Sequence, residues 1–72
     1  MHDITVTVVS TEEALDGTAE LWFGGELIAY TRYEDNDLVL CIEPRRDGGP
    51  RVVGAHAMAD ALAEATRRLA VY

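Results

Sequence analysis

The fold is decided by residues 18–43, which read TAELWFGGELIAYTRYEDNDLVLCIE. Two short turns, Gly24-Gly25 and Asp35-Asn36-Asp37, separate three apolar runs in this stretch. Two adjacent glycines tolerate positive φ and are typical of a two-residue hairpin turn. We therefore predict antiparallel strands at residues 18–23, 26–34 and 38–43.

The register of these strands decides which face of the sheet is apolar, because a slip of one residue moves every side chain to the other side. The glycine turn pairs Leu21 with Ile28. A three-residue turn at residues 35–37 then pairs Tyr30 with Ile42, whereas a two- or four-residue turn would set Tyr33 opposite Leu38. We predict the three-residue turn because it gathers one apolar face: Ala19, Leu21, Phe23, Ile28, Tyr30, Leu38, Leu40 and Ile42.

Clear patterns also flank the central stretch. Residues 3–9 alternate between apolar and polar side chains and are rich in β-branched residues, which indicates a further half-buried strand. Ser10 and Glu13 have the spacing of a capping box, and Gly17 stands where a helix would end, so one helical turn or a wide loop is expected between the first two strands. Residues 44–50 form a loop with two prolines and two glycines.

The carboxy-terminal residues 54–70 change to a helical period. Apolar side chains recur there at spacings of three and four: Ala55, Met58, Leu62, Ala65, Leu69 and Tyr72. The predicted fold is thus α+β and two-layered. It has a three- to four-stranded antiparallel β-meander followed by one C-terminal α-helix packed on one face of the sheet, in a single domain spanning residues 1–72.

Charge and composition exclude several classes of function. The chain of 72 residues has 13 acidic and 6 basic side chains, a net charge of −7, which opposes general binding to nucleic-acid phosphates. No apolar run approaches the roughly 20 residues of a membrane span, and no signal-peptide pattern stands at the amino terminus. We expect a cytoplasmic protein with no membrane association, no metal and no cofactor.

Each residue that could act in catalysis or bind a metal is also explained by an ordinary structural role. His56 and Asp60 stand four residues apart on the predicted helix, where a solvent-facing pair is expected. Cys41 lies between apolar neighbours in a strand and is expected to be an inert thiol. Asp35 and Asp37 are residue types that suit a turn. The glycine and the distal glutamate of a calcium-binding loop are missing here. We therefore expect a protein that is not an enzyme.

The second face of the sheet is the strongest candidate site. One helix can cover only one side of a four-stranded sheet, so the other side is expected to stay open as a contact surface. The predicted register gives it six interface candidates: Trp22, Leu27, Ala29, Tyr33, Val39 and Cys41. The first hypothesis is a non-catalytic interaction module that acts as a homodimer or as an accessory subunit of another protein.

Arginines supply the second hypothesis. Arg45, Arg46 and Arg51 precede the helix and form a weaker candidate site for an anion or nucleic acid. With Arg67 and Arg68 they could serve a nucleic-acid-linked regulator, either antitoxin-like or a small transcription accessory. Strands followed by a helix also occur in double-stranded-RNA-binding domains and small antitoxins, a similarity of outline that carries no function by itself. The acidic net charge makes nucleic acid the less favoured partner.

Overall fold

The computed structural model describes residues 4–71 and confirms the predicted α+β architecture. Asp3 of the predicted first strand and Tyr72 of the predicted helix stripe lie outside these residues. The elements follow in the order β1 (Thr5–Thr7), α1 (Thr11–Leu15), β2 (Glu20–Phe23), β3 (Glu26–Glu34), β4 (Asp37–Ile42) and α2 (Ala55–Leu69). The four strands form one antiparallel sheet in the order β1-β2-β3-β4.

The short helix α1 forms because its amino terminus is capped. Ser10 is the N-cap, and its Oγ accepts a hydrogen bond from the backbone N of Glu13 at 3.1 Å. This satisfies one of the amide groups that have no partner inside the helix. The chain then turns through Gly17, whose φ of +77° favours glycine, and Ala14 is buried in the core.

The β2–β3 hairpin has the predicted two-residue glycine turn, with Phe23 opposite Glu26 and positive φ at both glycines. Beyond the turn the register departs from the prediction. Trp22 pairs with Leu27, but Leu21 pairs with Ala29, so a β-bulge leaves Ile28 as the extra residue. The bulge places both Ile28 and Ala29 in the core, each 1% exposed. The assignment of Ala29 to the second face was therefore wrong.

The β3–β4 turn also differs from the prediction. It contains two residues, Asp35 and Asn36, with φ of +52° and +69°, and it pairs Glu34 with Asp37. Asp and Asn are among the few residues that tolerate this left-handed conformation, and a two-residue turn of this kind matches the twist of the flanking strands. The predicted three-residue turn was wrong for this reason.

Each of these two differences shifts the pairing by one residue. The first exchanges the two faces of β3 beyond Ile28, and the second restores the predicted faces for β4. Tyr30 pairs with Cys41 on the face away from the helices, whereas Tyr33 pairs with Leu38 on the face toward them. Both tyrosines therefore lie opposite to their predicted sides. The predicted register would have set Arg32 on the same side as Leu40, where burying its charge is costly. The observed register turns Arg32 away from the core.

The core lies between α2 and one side of the sheet, which we call the helix side. Its buried apolar residues are Val6, Ala14, Ala19, Leu21, Ile28, Ala29, Ala61, Ala65 and Leu69. Helix α2 packs over the β1 side of the sheet. It therefore leaves Leu38 and Ile42, on the helix side of β4, 37% and 65% exposed. Neither helix within residues 4–71 is long and apolar enough to cross a membrane.

Candidate functional site

The side of the sheet away from α2, which we call the open face, has an apolar centre. Residues directly opposite each other in neighbouring strands project to the same side, and the pairing assigns the open face five apolar or aromatic side chains: Trp22, Leu27, Tyr30, Val39 and Cys41. All five are half-buried. Four of them were interface candidates from the sequence, and Tyr30 replaces Tyr33.

Polar residues surround this centre. Thr5 pairs with Trp22 at the β1 edge, and Glu20 pairs with Tyr30 in the middle of the sheet. The indole Nε1 of Trp22 donates a hydrogen bond to Glu20 Oε1 at 3.3 Å. Arg32, next along β3 on the same face, pairs with Glu34 at 2.9 Å. Aromatic residues at the centre and charged residues at the rim are the composition typical of protein–protein contact surfaces.

Tyr30 and Cys41 interact across strands β3 and β4 at the centre of the open face. A hydrogen bond between the phenol and the thiol raises the pKa of Tyr30, and the electrostatic effect of Cys41 raises it further. Glu43 also raises this pKa, whereas Arg32 lowers it. Because the phenol stays neutral over a wider pH range, Tyr30 presents a neutral hydrogen-bonding group on the open face.

A concave pocket of about 600 Å³ opens where the open face meets the loop after β4. Trp22 and Leu27 line one side, and Arg45, Arg46 and Arg51 line the other. The sequence predicted these residues as two separate sites, and the structure brings them together at one corner of the sheet. Glu26 and Asp47 also line the pocket and offset part of its positive charge.

Arg51 has a structural role in this corner. Its Nε donates to the Glu43 carbonyl oxygen at 3.0 Å, and its Nη2 donates to the Pro44 carbonyl oxygen at 3.2 Å and to Glu26 Oε1 at 3.1 Å. Its side chain is only 13% exposed. Arg51 therefore fastens the loop after β4 to the start of β3 instead of presenting a free cation.

The other two arginines of this corner lie in the loop itself and are exposed. Arg45 pairs with Asp47 at 2.9 Å. Arg46 has no ion-pair or side-chain hydrogen-bond partner within residues 4–71. Of the three arginines in this corner, Arg46 is thus the one available to an outside partner.

Arg67 and Arg68 belong to a different part of the molecule. Both pair with Glu64 in α2, at 3.6 and 3.4 Å, and Arg68 Nη1 also donates to the Val6 carbonyl oxygen at 2.8 Å. Val6 lies in β1, at the opposite edge of the sheet from β4. The structure therefore divides the five arginines of the second hypothesis into two groups.

The remaining candidates are not assembled into a reactive group in the described part of the chain. His56 and Asp60 are both exposed, and no ion pair or hydrogen bond joins them there. Asp35 belongs to the β3–β4 turn, as its left-handed backbone shows. Within residues 4–71, no three or more His, Cys, Asp or Glu side chains lie together as possible metal ligands.

Comparisons with known proteins add no family to this description. No protein-family model, curated protein or solved structure matches the chain.

Tyr30 is the candidate residue that the sequence interpretation missed. The signal was present in Asp35-Asn36, a pair suited to a two-residue turn with positive φ at both positions. This turn sets Tyr30 opposite Cys41, and Cys41 was already a candidate.

Proposed function

We propose that the protein is a non-catalytic interaction module that acts as a homodimer. The observation that carries the proposal is the position of α2, which packs against β1, while side chains on the helix side of β3 and β4 stay exposed within residues 4–71. Tyr33, Leu38 and Ile42 are 49%, 37% and 65% exposed on the helix side of β3 and β4. Such clustered apolar exposure is typical of surfaces that contact another protein.

The open face supports the same proposal from the other side of the sheet. Its aromatic residues Trp22 and Tyr30 are of the type that supplies much of the binding energy in protein contacts. A small chain buries a modest fraction of its surface, so association of two copies also adds stability that a single copy has difficulty reaching. Closed pairs related by a two-fold axis are the commonest oligomers.

Solution mass tests the proposal. Light scattering from about 1 to about 100 μM spans the affinities expected of a modest interface, and the apparent mass is expected to rise from one chain to two over this range. A single-chain mass at every concentration would overturn the proposal.

An electrophoretic mobility-shift assay tests the alternative function, nucleic-acid binding, directly. Binding of DNA or RNA through arginines weakens steeply with salt. We expect no retardation at about 50 mM salt with duplex DNA or RNA. Salt-dependent retardation by a protein that remains a single chain would instead support the second hypothesis.

A further inference from the structure

The free edge of the sheet indicates how two copies join. We infer that β4 of one protomer pairs antiparallel with β4 of its partner around a two-fold axis at Leu40, which gives a continuous eight-stranded sheet. The inference rests on the proposed homodimer and assigns its contact to the sheet edge. A face-to-face pairing of the two open faces is the competing arrangement.

Strand β4 has few of the features that protect sheet edges. It spans the six residues Asp37–Ile42, twice the three residues of β1 at the other edge. Natural edge strands are commonly shielded by lysine, proline or a very short length. The sequence DLVLCI contains neither lysine nor proline, and its residues 38–42 place apolar side chains on both faces of the sheet. This edge is therefore suited to adding another strand.

The β3–β4 turn determines which backbone groups of β4 point outward. A two-residue turn makes Glu34 and Asp37 a hydrogen-bonded pair, and hydrogen-bonded pairs then recur at every second residue. Val39 and Cys41 thus direct their backbone groups toward β3, and the bond from Glu43 N to the Ile28 carbonyl oxygen at 2.9 Å continues the alternation. The backbone N–H and C=O groups at 38, 40 and 42 point to the outer edge.

A two-fold axis at Leu40 satisfies these outward groups and matches the side chains. The axis keeps the two helix sides on the same side, so residues pair only with residues of the same face. Leu40 meets the partner's Leu40, and Leu38 meets the partner's Ile42, on the helix side. Val39 meets the partner's Cys41 on the open face. The pairing covers part of the apolar surface of Leu38 and Ile42 that α2 leaves exposed.

One pair in the register is unfavourable, because Asp37 of one protomer meets the partner's Glu43, and the two-fold axis repeats this contact at the other end. The apolar pairs formed by residues 38–42, between these two ends, carry the association.

Neighbouring registers pair fewer residues. A shift of two residues one way, centred on Val39, sets Ile42 opposite the partner's Asn36, which lies in the β3–β4 turn and cannot continue the ladder. A shift the other way, centred on Cys41, places the partner's Pro44 opposite Leu38, and proline has no N–H to donate to the ladder. Only the Leu40-centred pairing joins residues 37–43 along their whole length.

Disulfide trapping tests the pairing directly. In the Val39→Cys variant the new thiol faces the native Cys41 of the partner in a non-hydrogen-bonded pair, where the Cα separation of about 4.5 Å suits a disulfide. Under mild oxidation we expect a covalent dimer, with the disulfide between positions 39 and 41 located by peptide mass mapping. The original chain, which has Cys41 alone, and the double variant Val39→Cys with Cys41→Ser are the matched controls and are expected to stay uncrosslinked.

The outcomes separate this inference from the proposed function. A light-scattering dimer whose Val39→Cys variant gives no disulfide between 39 and 41 would overturn edge pairing and leave the homodimer standing. A rapid disulfide between two native Cys41 residues would overturn the Leu40-centred register in favour of the shifted one. A chain that stays single at every concentration would overturn both the homodimer and the edge pairing.

Discussion

The ring of Tyr33 lies against Gly17 so closely that the glycine has no room for a side chain. A Cβ at residue 17 would stand 2.6 Å from Tyr33 Cδ2, and the glycine also has a φ of +77°. The backbone N of Tyr33 donates to the Asp16 carbonyl oxygen at 3.0 Å beside this contact. The bulge at Ile28 thus puts Tyr33 on the helix side of the sheet, where it packs against the segment between α1 and β2.

Gly17→Ala is expected to lower the free energy of unfolding by about 2–4 kcal/mol, from left-handed backbone strain together with overlap with the ring. Gly24→Ala is the matched control, because Gly24 has a φ of +59° with nothing within 4 Å of its Cβ position. The control is expected to cost only about 1–2 kcal/mol. Urea unfolding measures both, and equal losses would contradict a packing role for Tyr33.

Thr31 supplies the buried polar link between β3 and the start of β2. It is 2% exposed, and its Oγ1 donates to the Gly17 carbonyl oxygen at 2.6 Å and accepts from Ala19 N at 2.9 Å. Thr31→Val keeps the shape but leaves both backbone groups without this partner, so a loss of about 2–3 kcal/mol in unfolding free energy is expected. Thr31→Ser retains the hydroxyl and should cost about 1 kcal/mol. Thermal unfolding compares them, and a tolerated valine would argue against the link.

Arg51 and Arg46 form a natural pair for testing the corner beside the open face. Arg51→Lys keeps the charge but cannot reach Glu43, Pro44 and Glu26 together, so a loss of about 1–2 kcal/mol is expected. Arg46→Lys should change the unfolding free energy by less than about 0.5 kcal/mol, because Arg46 is exposed. Chemical denaturation at low protein concentration excludes effects of dimerisation. Equal effects of the two substitutions would contradict the structural role of Arg51.

Tyr30 is expected to ionise above the ordinary tyrosine pKa of about 10, because of its hydrogen bond to Cys41. The unfolded chain loses this proton first, so the stabilising contribution is present below about pH 10 and is lost as the pH rises through the folded pKa. Cys41→Ala should lower the pKa of Tyr30, whereas Cys41→Ser should lower it less. Carbon NMR of the Tyr30 ring during titration measures each value. An unchanged pKa in the alanine variant would show that Cys41 is not the cause.

Local sequence was sufficient to predict the elements. Alternation in β1 to β4, the spacing of three and four in α2, and the Ser10 cap are all decided by residues close together in the chain. The face of the sheet on which each β4 side chain lies was also predicted correctly, because the two register differences cancel there. The interface hypothesis remains a prediction, with Trp22, Leu27, Val39 and Cys41 on the open face.

The sequence by itself determined which segments are strands and which is a helix, because those preferences come from neighbouring residues. Only the tertiary structure decided that Ile28 bulges, that Tyr30 rather than Tyr33 reaches the open face, and that Arg51 is held within its own chain. A bulge adds one residue where packing in the folded sheet favours it, and the sequence on either side of Ile28 alternates in the same way with or without the bulge. Whether Thr31 or Arg32 points into the core depends on the residues of the neighbouring strands β2 and β4, and those contacts exist only in the folded sheet.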